Sequence, residues 1–129
     1  MKRLIVYFAA PLRGATPEET AANRDAASVL VASASKLYPI APVCSWIVLS
    51  SRWSEEEGRK LGLEIDCALI ERCDELWLCG PKRPLSEGMK IEAEHARRCL
   101  IRVRDLRGYR FDGTLDYESI GCLVGAEAR

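Results

Sequence analysis

Arg13 is the first residue whose type and place in the sequence could do chemistry. It follows a near-continuous apolar run at residues 2–9, and Thr16 indicates a helix start shortly after it. A guanidinium between the end of a strand and the N-terminus of a helix can bind phosphate through two parallel hydrogen bonds, assisted by the free amides of the helix. A solvated arginine on a surface loop is the alternative, because such loops are common. The loop alone leaves the two interpretations open.

Glu92 is the second such residue, on a helix predicted to begin at Ser86 and to end near Arg98. The helix has a narrow apolar arc that is expected to face a sheet, made up of Met89, Ala93, Ala96 and Leu100. Glu92 lies beside this arc, and a half-buried carboxylate is either salt-bridged or functional. Ser86 is first of all the helix N-cap, and its hydroxyl would also face an anion bound at that helix end.

The remaining ionisable side chains carry weaker signals. Asp74 immediately precedes a predicted strand, and Asp66 lies eight residues earlier on a helix, where a solvated charge is the preferred interpretation. His95 is interpreted as a residue on the side of its helix, because nothing pairs it with a nucleophile at a recognisable spacing. The six cysteines include no C-x-x-C pair and the chain has one histidine, so packed free thiols are expected and no metal site is predicted.

The composition is typical of a single soluble globular domain that spans residues 1–129. Nineteen basic residues balance nineteen acidic ones, which argues against binding to polymeric nucleic acid or to an anionic membrane. No apolar stretch approaches the roughly 20 residues of a membrane span, and no signal peptide is recognised. The unpaired cysteines favour a reducing compartment, so a cytoplasmic location is expected. No cofactor is predicted.

Strands and helices are predicted to alternate along the chain. Strands are expected at residues 2–9, 38–42, 75–79 and 100–103, and helices at residues 16–36, 54–72 and 86–98. Capping boxes open the first two helices at Thr16 and Ser54. Residues 43–53 have no clear pattern, and residues 104–129 form a poorly assigned tail with an edge strand expected near residues 120–124. The arginines of residues 102–110 are interpreted as a solvated face.

This alternation predicts an α/β fold, specifically a three-layer α/β/α domain of the flavodoxin or Rossmann-like type with a parallel sheet of four to five strands. In such sheets, ligands bind beyond the carboxyl ends of the strands, usually where the strand order reverses. The loops at residues 9–16 and 80–88 both lead from a strand end to a helix start. Arg13 and Glu92 are therefore expected to border one small cavity at this edge.

Three blocks of the chain together resemble the nucleoside 2-deoxyribosyltransferase superfamily, which includes the 2′-deoxynucleoside 5′-monophosphate N-glycosidases. The blocks are Tyr7-Phe8-x-x-Pro11-Leu12-Arg13-Gly14, Cys73-Asp74-Glu75-Leu76-Trp77-Leu78 and Ser86-Glu87-Gly88-Met89-x-x-Glu92-x-x-x-Ala96. The resemblance spans roughly residues 3–103. The chain departs from the family pattern at Glu94, where the family usually has a small residue, and in the basic segment at residues 81–84.

The resemblance implies a role for each matching residue. Glu92 matches the nucleophilic glutamate that attacks the anomeric carbon, Tyr7 matches a tyrosine close to it, and Asp74 matches an aspartate proposed to protonate the leaving base. The residues implied in substrate binding are Ala9, Pro11, Leu12, Arg13, Gly14, Ser86, Gly88 and Met89. Among these, Arg13, Gly14 and Ser86 match positions on the side of the 5′-phosphate.

The resemblance thus implies an enzyme that cleaves or transfers at the N-glycosidic bond of a 2′-deoxynucleoside or its 5′-monophosphate through a covalent glycosyl-glutamate intermediate. It also implies a homodimer, and Ile91 and His95 occupy a side of their helix that the apolar arc leaves uncovered. A nucleotide-binding or sensing module that keeps the pocket without turnover is the alternative. A purely structural interaction domain is a third interpretation.

Overall fold

The structure is a computed structural model that describes residues 2–53 and 55–113. The edge strand expected near residues 120–124 and the capping box at Ser54 lie outside the described residues. Within the described part of the chain, no helix is both long and apolar enough to cross a membrane.

Strands and helices alternate as the sequence predicts. In chain order the elements are β1 (Leu4–Ala9), α1 (Pro17–Leu37), β2 (Ile40–Val43), α2 (Trp46–Leu49), α3 (Glu55–Ile70), β3 (Glu75–Leu78), α4 (Glu87–Arg98) and β4 (Arg102–Asp105). The four strands form one parallel sheet in the order β2-β1-β3-β4. The predicted α/β fold with a parallel sheet is confirmed, and the strand order reverses between β1 and β3.

Alternate residues of each buried strand pack on opposite faces of the sheet, as the two-residue period of a strand requires. Tyr7 and Leu76 belong to a core cluster with side chains from α3 and α4. Phe8 and Trp77 belong to a second cluster, with side chains from α1 and with Leu106 after β4. Both faces of the sheet are therefore covered, and Tyr7 points to the face that carries α3 and α4.

The helix starts follow the predicted capping chemistry. Thr16 Oγ1 accepts a hydrogen bond from the Glu19 amide at 3.1 Å, and Pro17 takes the first turn of α1. Ser86 Oγ accepts a hydrogen bond from the Met89 amide at 3.3 Å at the start of α4. These caps fix where α1 and α4 begin, and both helices begin at the carboxyl edge of the sheet.

The end of α4 differs from the prediction. Leu100 was placed on the apolar arc and in the fourth strand, yet its side chain is 94% exposed and its φ angle is 61°. The Ile101 amide donates to the Ala96 carbonyl at 2.8 Å and the Leu100 amide donates to the Arg97 carbonyl at 3.1 Å, which is a Schellman C-cap. Leu100 occupies the left-handed position of this cap, so β4 begins two residues later than predicted.

Residues 43–53 contain a single helical turn, α2, which the sequence pattern did not indicate. Its first residue, Trp46, is buried, and its indole Nε1 donates to the Phe8 carbonyl at 3.0 Å. This bond ties the turn to the last part of β1. An isolated aromatic anchor of this kind has no periodicity that a sequence pattern could detect.

The interpretation of residues 102–110 as a solvated face is wrong for Arg104. This arginine is buried, and its Nε and Nη2 donate to the two carboxylate oxygens of Glu75 at 2.7 and 3.0 Å. The Trp77 indole Nε1 also donates to Glu75, at 2.8 Å. The bidentate pair lies on the α1 side of the sheet, away from Tyr7, and ties β3 to β4.

Candidate active site

A groove lies at the carboxyl edge of the sheet, above the point where the strand order reverses between β1 and β3. It has a volume of about 520 Å³. Its lining combines the first loop, the start of α1 and the loop before α4, and includes Pro11, Arg13, Gly14, Asn23, Arg83 and Ser86. This is the edge at which parallel α/β sheets bind their ligands. A groove therefore lies where the sequence predicted a binding site.

The first loop is held in shape by its own hydrogen bonds. Asn23 Nδ2 donates to the Leu12 carbonyl at 3.0 Å, and the Gly14 amide donates to Thr20 Oγ1 at 3.0 Å. A Cβ atom on Gly14 would lie 2.4 Å from the Cβ of Glu19, so only glycine fits at this position. The loop therefore approaches the first turn of α1 closely and presents Arg13 at the groove.

The groove is suited to an anion. The N-termini of α1 and α4 both reach its lining, through Ala15 and Ser86, and helix N-termini attract negative charge. Arg13 and Arg83 add two guanidinium groups, and Glu19 is the acidic residue in the lining. The Glu19 carboxylate accepts from the Ala15 amide at 2.6 Å, so it is engaged in capping α1.

The two loops that form the groove touch at Pro11 and Gly80. A Cβ atom on Gly80 would lie 2.8 Å from the Pro11 Cδ, and Gly80 has a φ angle of 105°. Both the contact and the backbone conformation require glycine. The Gly80 carbonyl also accepts from the Gly108 amide at 2.8 Å, which anchors the second loop to the segment after β4.

Tyr7, Asp66 and Glu92 form a buried polar cluster beneath the groove. They come from β1, α3 and α4, respectively, and the Tyr7 hydroxyl donates a short hydrogen bond to Glu92 Oε2. Tyr7 is 0% exposed, and Asp66 and Glu92 are each 6% exposed. The interpretation of Asp66 as a solvated charge is therefore wrong. Its helix packs against α4 and directs the carboxyl group toward Glu92.

Burial dominates the proton chemistry of this cluster. It raises the pKa of Glu92 well above the ordinary value, and the nearby charge of Asp66 raises it further, while the Tyr7 hydrogen bond acts in the opposite direction. Burial also raises the pKa of Asp66, while the neighbouring Glu92 carboxyl and Tyr7 hydroxyl act in the opposite direction. The pKa of Tyr7 is raised by burial and by Glu92, so its hydroxyl stays protonated and donates. Two adjacent buried carboxyl groups retain a proton to a higher pH than an isolated one does.

One oxygen of the cluster has no partner. Asp66 Oδ1 is buried and makes no hydrogen bond to any described residue. A buried polar atom without a partner carries a desolvation cost of about 1–3 kcal/mol. Such an atom in a native protein calls for an explanation, and a carboxyl oxygen that meets a ligand or exchanges a proton with it is one.

Asp74 is not brought together with Glu92. Its Oδ2 accepts from the Ile5 amide at 2.7 Å, and its own amide donates to the Ile5 carbonyl at 2.7 Å. It is exposed and precedes the first residue of β3, at the amino edge of the sheet. The structure thus gives Asp74 a bridging contact to β1, and it gives Asp66 the position beside Glu92.

The groove and the buried cluster are close but separate. Ser86 lines the groove and Glu92 follows it by six residues, which is roughly 9 Å along a helix axis. The groove lining, as far as the described residues form it, includes Arg13 but not Glu92. That both residues border one cavity stays a prediction. The other residues implied in substrate binding divide between the two regions. Pro11 and Gly14 line the groove, and Ala9, Leu12 and Met89 belong to the apolar layer around Tyr7.

The model of a protein family described as a domain of unknown function (DUF7768) matches residues 4–106. The chain belongs to the DUF7768 family. The matched range contains the four strands of the DUF7768 domain, both loops of the groove, and Tyr7, Asp66 and Glu92. A comparison with curated proteins returned no significant match.

Proposed function

We propose that this protein cleaves or transfers at the N-glycosidic bond of a 2′-deoxynucleoside or its 5′-monophosphate. The observation that carries the proposal is the buried pair of carboxyl groups, Asp66 and Glu92, with the Tyr7 hydroxyl bound to one of them. Paired carboxyl groups in a dry environment are the usual means of breaking glycosidic bonds, since one attacks or stabilises the sugar and the other handles the proton.

The difference between the two carboxyl groups supports a division of roles. The Tyr7 hydrogen bond stabilises the Glu92 anion, which suits Glu92 to the role of the nucleophile that the resemblance implies. Burial and Asp66 raise the pKa of Glu92, so in the reacting complex the proton that the pair shares has to move to Asp66. Asp66, whose Oδ1 has no partner among the described residues, is then the acid that gives this proton to the leaving base. This assignment replaces Asp74, which lies at the other edge of the sheet.

The reaction then proceeds in two balanced steps. A Glu92 oxygen bonds to the anomeric carbon as the C–N bond breaks, and the base leaves with the electron pair and a proton from Asp66. Water, activated by the Asp66 carboxylate, next attacks the anomeric carbon and releases Glu92, and Asp66 regains its proton. A second base in place of the water would make the reaction a transfer.

The groove supports a phosphorylated substrate. Arg13, Arg83 and the N-termini of α1 and α4 converge there, about two helical turns from Glu92. A substrate with its phosphate in the groove and its sugar directed toward the sheet brings the anomeric carbon to the carboxyl pair. The apolar layer that includes Leu12 and Met89 must open for this contact to form.

The test is the release of free base. The reduced full-length protein is incubated with deoxynucleosides and deoxynucleoside 5′-monophosphates, and free base is measured by chromatography. We expect release by the wild type, and loss of release in Glu92→Gln and Asp66→Asn. Glu94→Gln is the matched control, because Glu94 is exposed on the same helix and paired with Arg98. Equal release by the wild type and Glu92→Gln would refute the assignment.

A nucleotide-binding module without turnover is the second candidate. It is favoured by the absence of Glu92 from the described groove lining. On this hypothesis, deoxynucleotides raise the melting temperature of wild type and Glu92→Gln alike, Arg13→Ala abolishes the effect, and no base is released. The same titrations therefore discriminate the two candidates.

We also propose that the protein associates as a homodimer through the outer side of α3 and α4. Leu61 and Ile91 are large apolar side chains exposed on these helices. Sedimentation at micromolar concentration tests this proposal, and a monomer for both wild type and Ile91→Glu would contradict it.

A further inference from the structure

We propose that the chain binds one zinc-like transition-metal ion through Glu71, His95 and Cys99. The three side chains meet where α3 and α4 end, at the far end of α4 from the groove. This site is separate from the carboxyl pair, and it stands or falls independently of the glycosidic reaction.

The proposal stands on the distances between the three ligand atoms. His95 Nε2 lies 2.8 Å from Glu71 Oε2 and 3.8 Å from Cys99 Sγ, and all three atoms lie within 4.8 Å of one another. Zinc with nitrogen, oxygen and sulfur ligands at about 2.0–2.3 Å places neighbouring ligand atoms roughly 3.3–3.7 Å apart. Adjustments of roughly 1 Å or less in the three side chains are therefore enough to admit the ion, and Glu71 and Cys99 are exposed.

The same nitrogen faces both the carboxylate and the thiol, which is the pattern expected when a metal replaces a shared proton. A carboxylate, an imidazole and a thiolate together suit zinc and its neighbours, whereas calcium and magnesium prefer oxygen ligands alone. Three protein ligands leave a fourth tetrahedral position for water or for a further ligand.

The local backbone favours a cation at this place. Glu71 directly follows the last residue of α3, and Cys99 is the C-cap of α4. Helix C-termini carry partial negative charge, so two of them close together attract a positive ion. A plain ion pair between His95 and Glu71 with a neighbouring thiol is the alternative, and it predicts no uptake of metal by the thiol.

A metal at this position would link the two helices that carry the buried carboxyl groups. Asp66 lies on α3 and Glu92 lies on α4, each within about two turns of the ligands at the end of its own helix. The ion would therefore hold the spacing of the helices without touching Asp66 or Glu92.

The test uses cobalt(II) as a spectroscopic probe, in full-length protein that has been stripped of metal and kept reduced by a phosphine. We expect one equivalent of cobalt(II) to give a thiolate-to-cobalt charge-transfer band and the visible bands of tetrahedral cobalt. Zinc(II) should remove both sets of bands by competition. No charge-transfer band from the wild type would overturn the proposal.

Variants identify the ligands. Cys99→Ser should lose the charge-transfer band, and His95→Gln should weaken binding by at least about 100-fold, since even outer-shell partners of a metal site cost ~10–100-fold. Cys67→Ser, which removes a thiol one turn before Glu71, and Glu94→Gln, which removes an exposed charge from α4, are the matched controls and should bind as the wild type does. A charge-transfer band retained in Cys99→Ser, or lost in Cys67→Ser, would contradict this ligand set. Circular dichroism of each variant without metal checks its folding.

Discussion

The Tyr7 hydroxyl donates a hydrogen bond to Glu92 across the interface between β1 and α4, a pair separated by 85 positions in the sequence. Neither side chain has appreciable access to solvent, so the bond persists only while α4 lies against the sheet. The contact therefore reports on both the packing of α4 and the ionisation of the carboxyl group.

Tyr7→Phe should lower the free energy of unfolding by about 1–3 kcal/mol, because it leaves a buried Glu92 oxygen without its donor. The hydrogen bond lowers the pKa of Glu92, so its removal should also shift the acidic limb of any pH–activity profile to higher pH. Urea unfolding and a pH–rate profile measure the two effects. Tyr109→Phe makes the same chemical change among the side chains on the other face of the sheet, and a pH–rate profile that shifts equally in both variants would contradict the prediction.

Glu92→Gln should stabilise the protein at neutral pH at the expense of activity. The pKa values of Asp66 and Glu92 are raised above their ordinary values of 3.8 and 4.5. The folded chain therefore binds more protons than the unfolded chain above these values, and the free energy of unfolding falls as the pH rises through the folded-state pKa values. Removal of one carboxyl group should add about 1–2 kcal/mol near pH 8, and the gain should shrink toward pH 4.

Thermal unfolding of wild type and Glu92→Gln across this pH range measures the difference. Glu94→Gln serves as the control, since an exposed carboxylate paired with Arg98 should give no comparable trend. A gain for Glu92→Gln that is as large at pH 4 as at pH 8 would show that ionisation is not its cause.

Leu100→Gly should raise the free energy of unfolding by roughly 0.5–1 kcal/mol. Leu100 occupies the left-handed position of the α4 C-cap with its side chain in solvent, so glycine removes backbone strain and loses little packing. Leu100→Val should destabilise the protein, because a β-branched residue tolerates this conformation worse. Urea denaturation of both variants tests the prediction, which fails if the two changes have the same sign.

Arg104→Met should destabilise the fold by about 3–5 kcal/mol, because it leaves the buried Glu75 carboxylate without its cation. The double variant Arg104→Met, Glu75→Gln should recover part of this loss, since the amide is uncharged and can still accept from the Trp77 indole. Chemical denaturation of the single and double variants measures the recovery. A double variant no more stable than Arg104→Met alone would show that the loss comes from packing.

Local sequence signals predicted the parts of the fold that local chemistry determines. The sequence predicted the Thr16 and Ser86 caps because a hydroxyl at the N-cap accepts a hydrogen bond from the amide three residues later. The apolar run at residues 2–9 predicted β1 because a strand buried on both faces is apolar throughout. The predicted strand ends and helix starts also predicted the position of the groove, since both of its loops join a strand to a helix.

The partner of Glu92 was not predicted, because it depends on which face α3 turns toward the sheet. The apolar residues Leu61 and Ala68 recur at helical spacing on α3, yet both are exposed. The buried side of α3 instead passes through Asp66 and Ile70, with Cys73 just beyond the helix. The i, i+4 and i+7 spacing of these three residues was the available signal, and it was hidden because a charged residue is normally excluded from such a stripe.

The Glu71, His95 and Cys99 cluster was not predicted, for a related reason. Its three side chains lie at the ends of two helices, whereas a metal site is recognisable in a sequence mainly from cysteine pairs at short spacing. His95 and Cys99 are one helical turn apart, which does place them on the same side of α4. The approach of Glu71 depends on how α3 and α4 pack, and no local pattern encodes it.

The contact between Gly80 and Pro11 has a consequence for how a ligand enters the groove. Because the proline ring fills the space where a side chain at position 80 would begin, neither loop can move inward without pushing the other. The contact therefore sets how closely the two walls approach each other. Replacement of Gly80 by alanine should push the two loops apart and weaken ligand binding, although residue 80 does not line the groove itself.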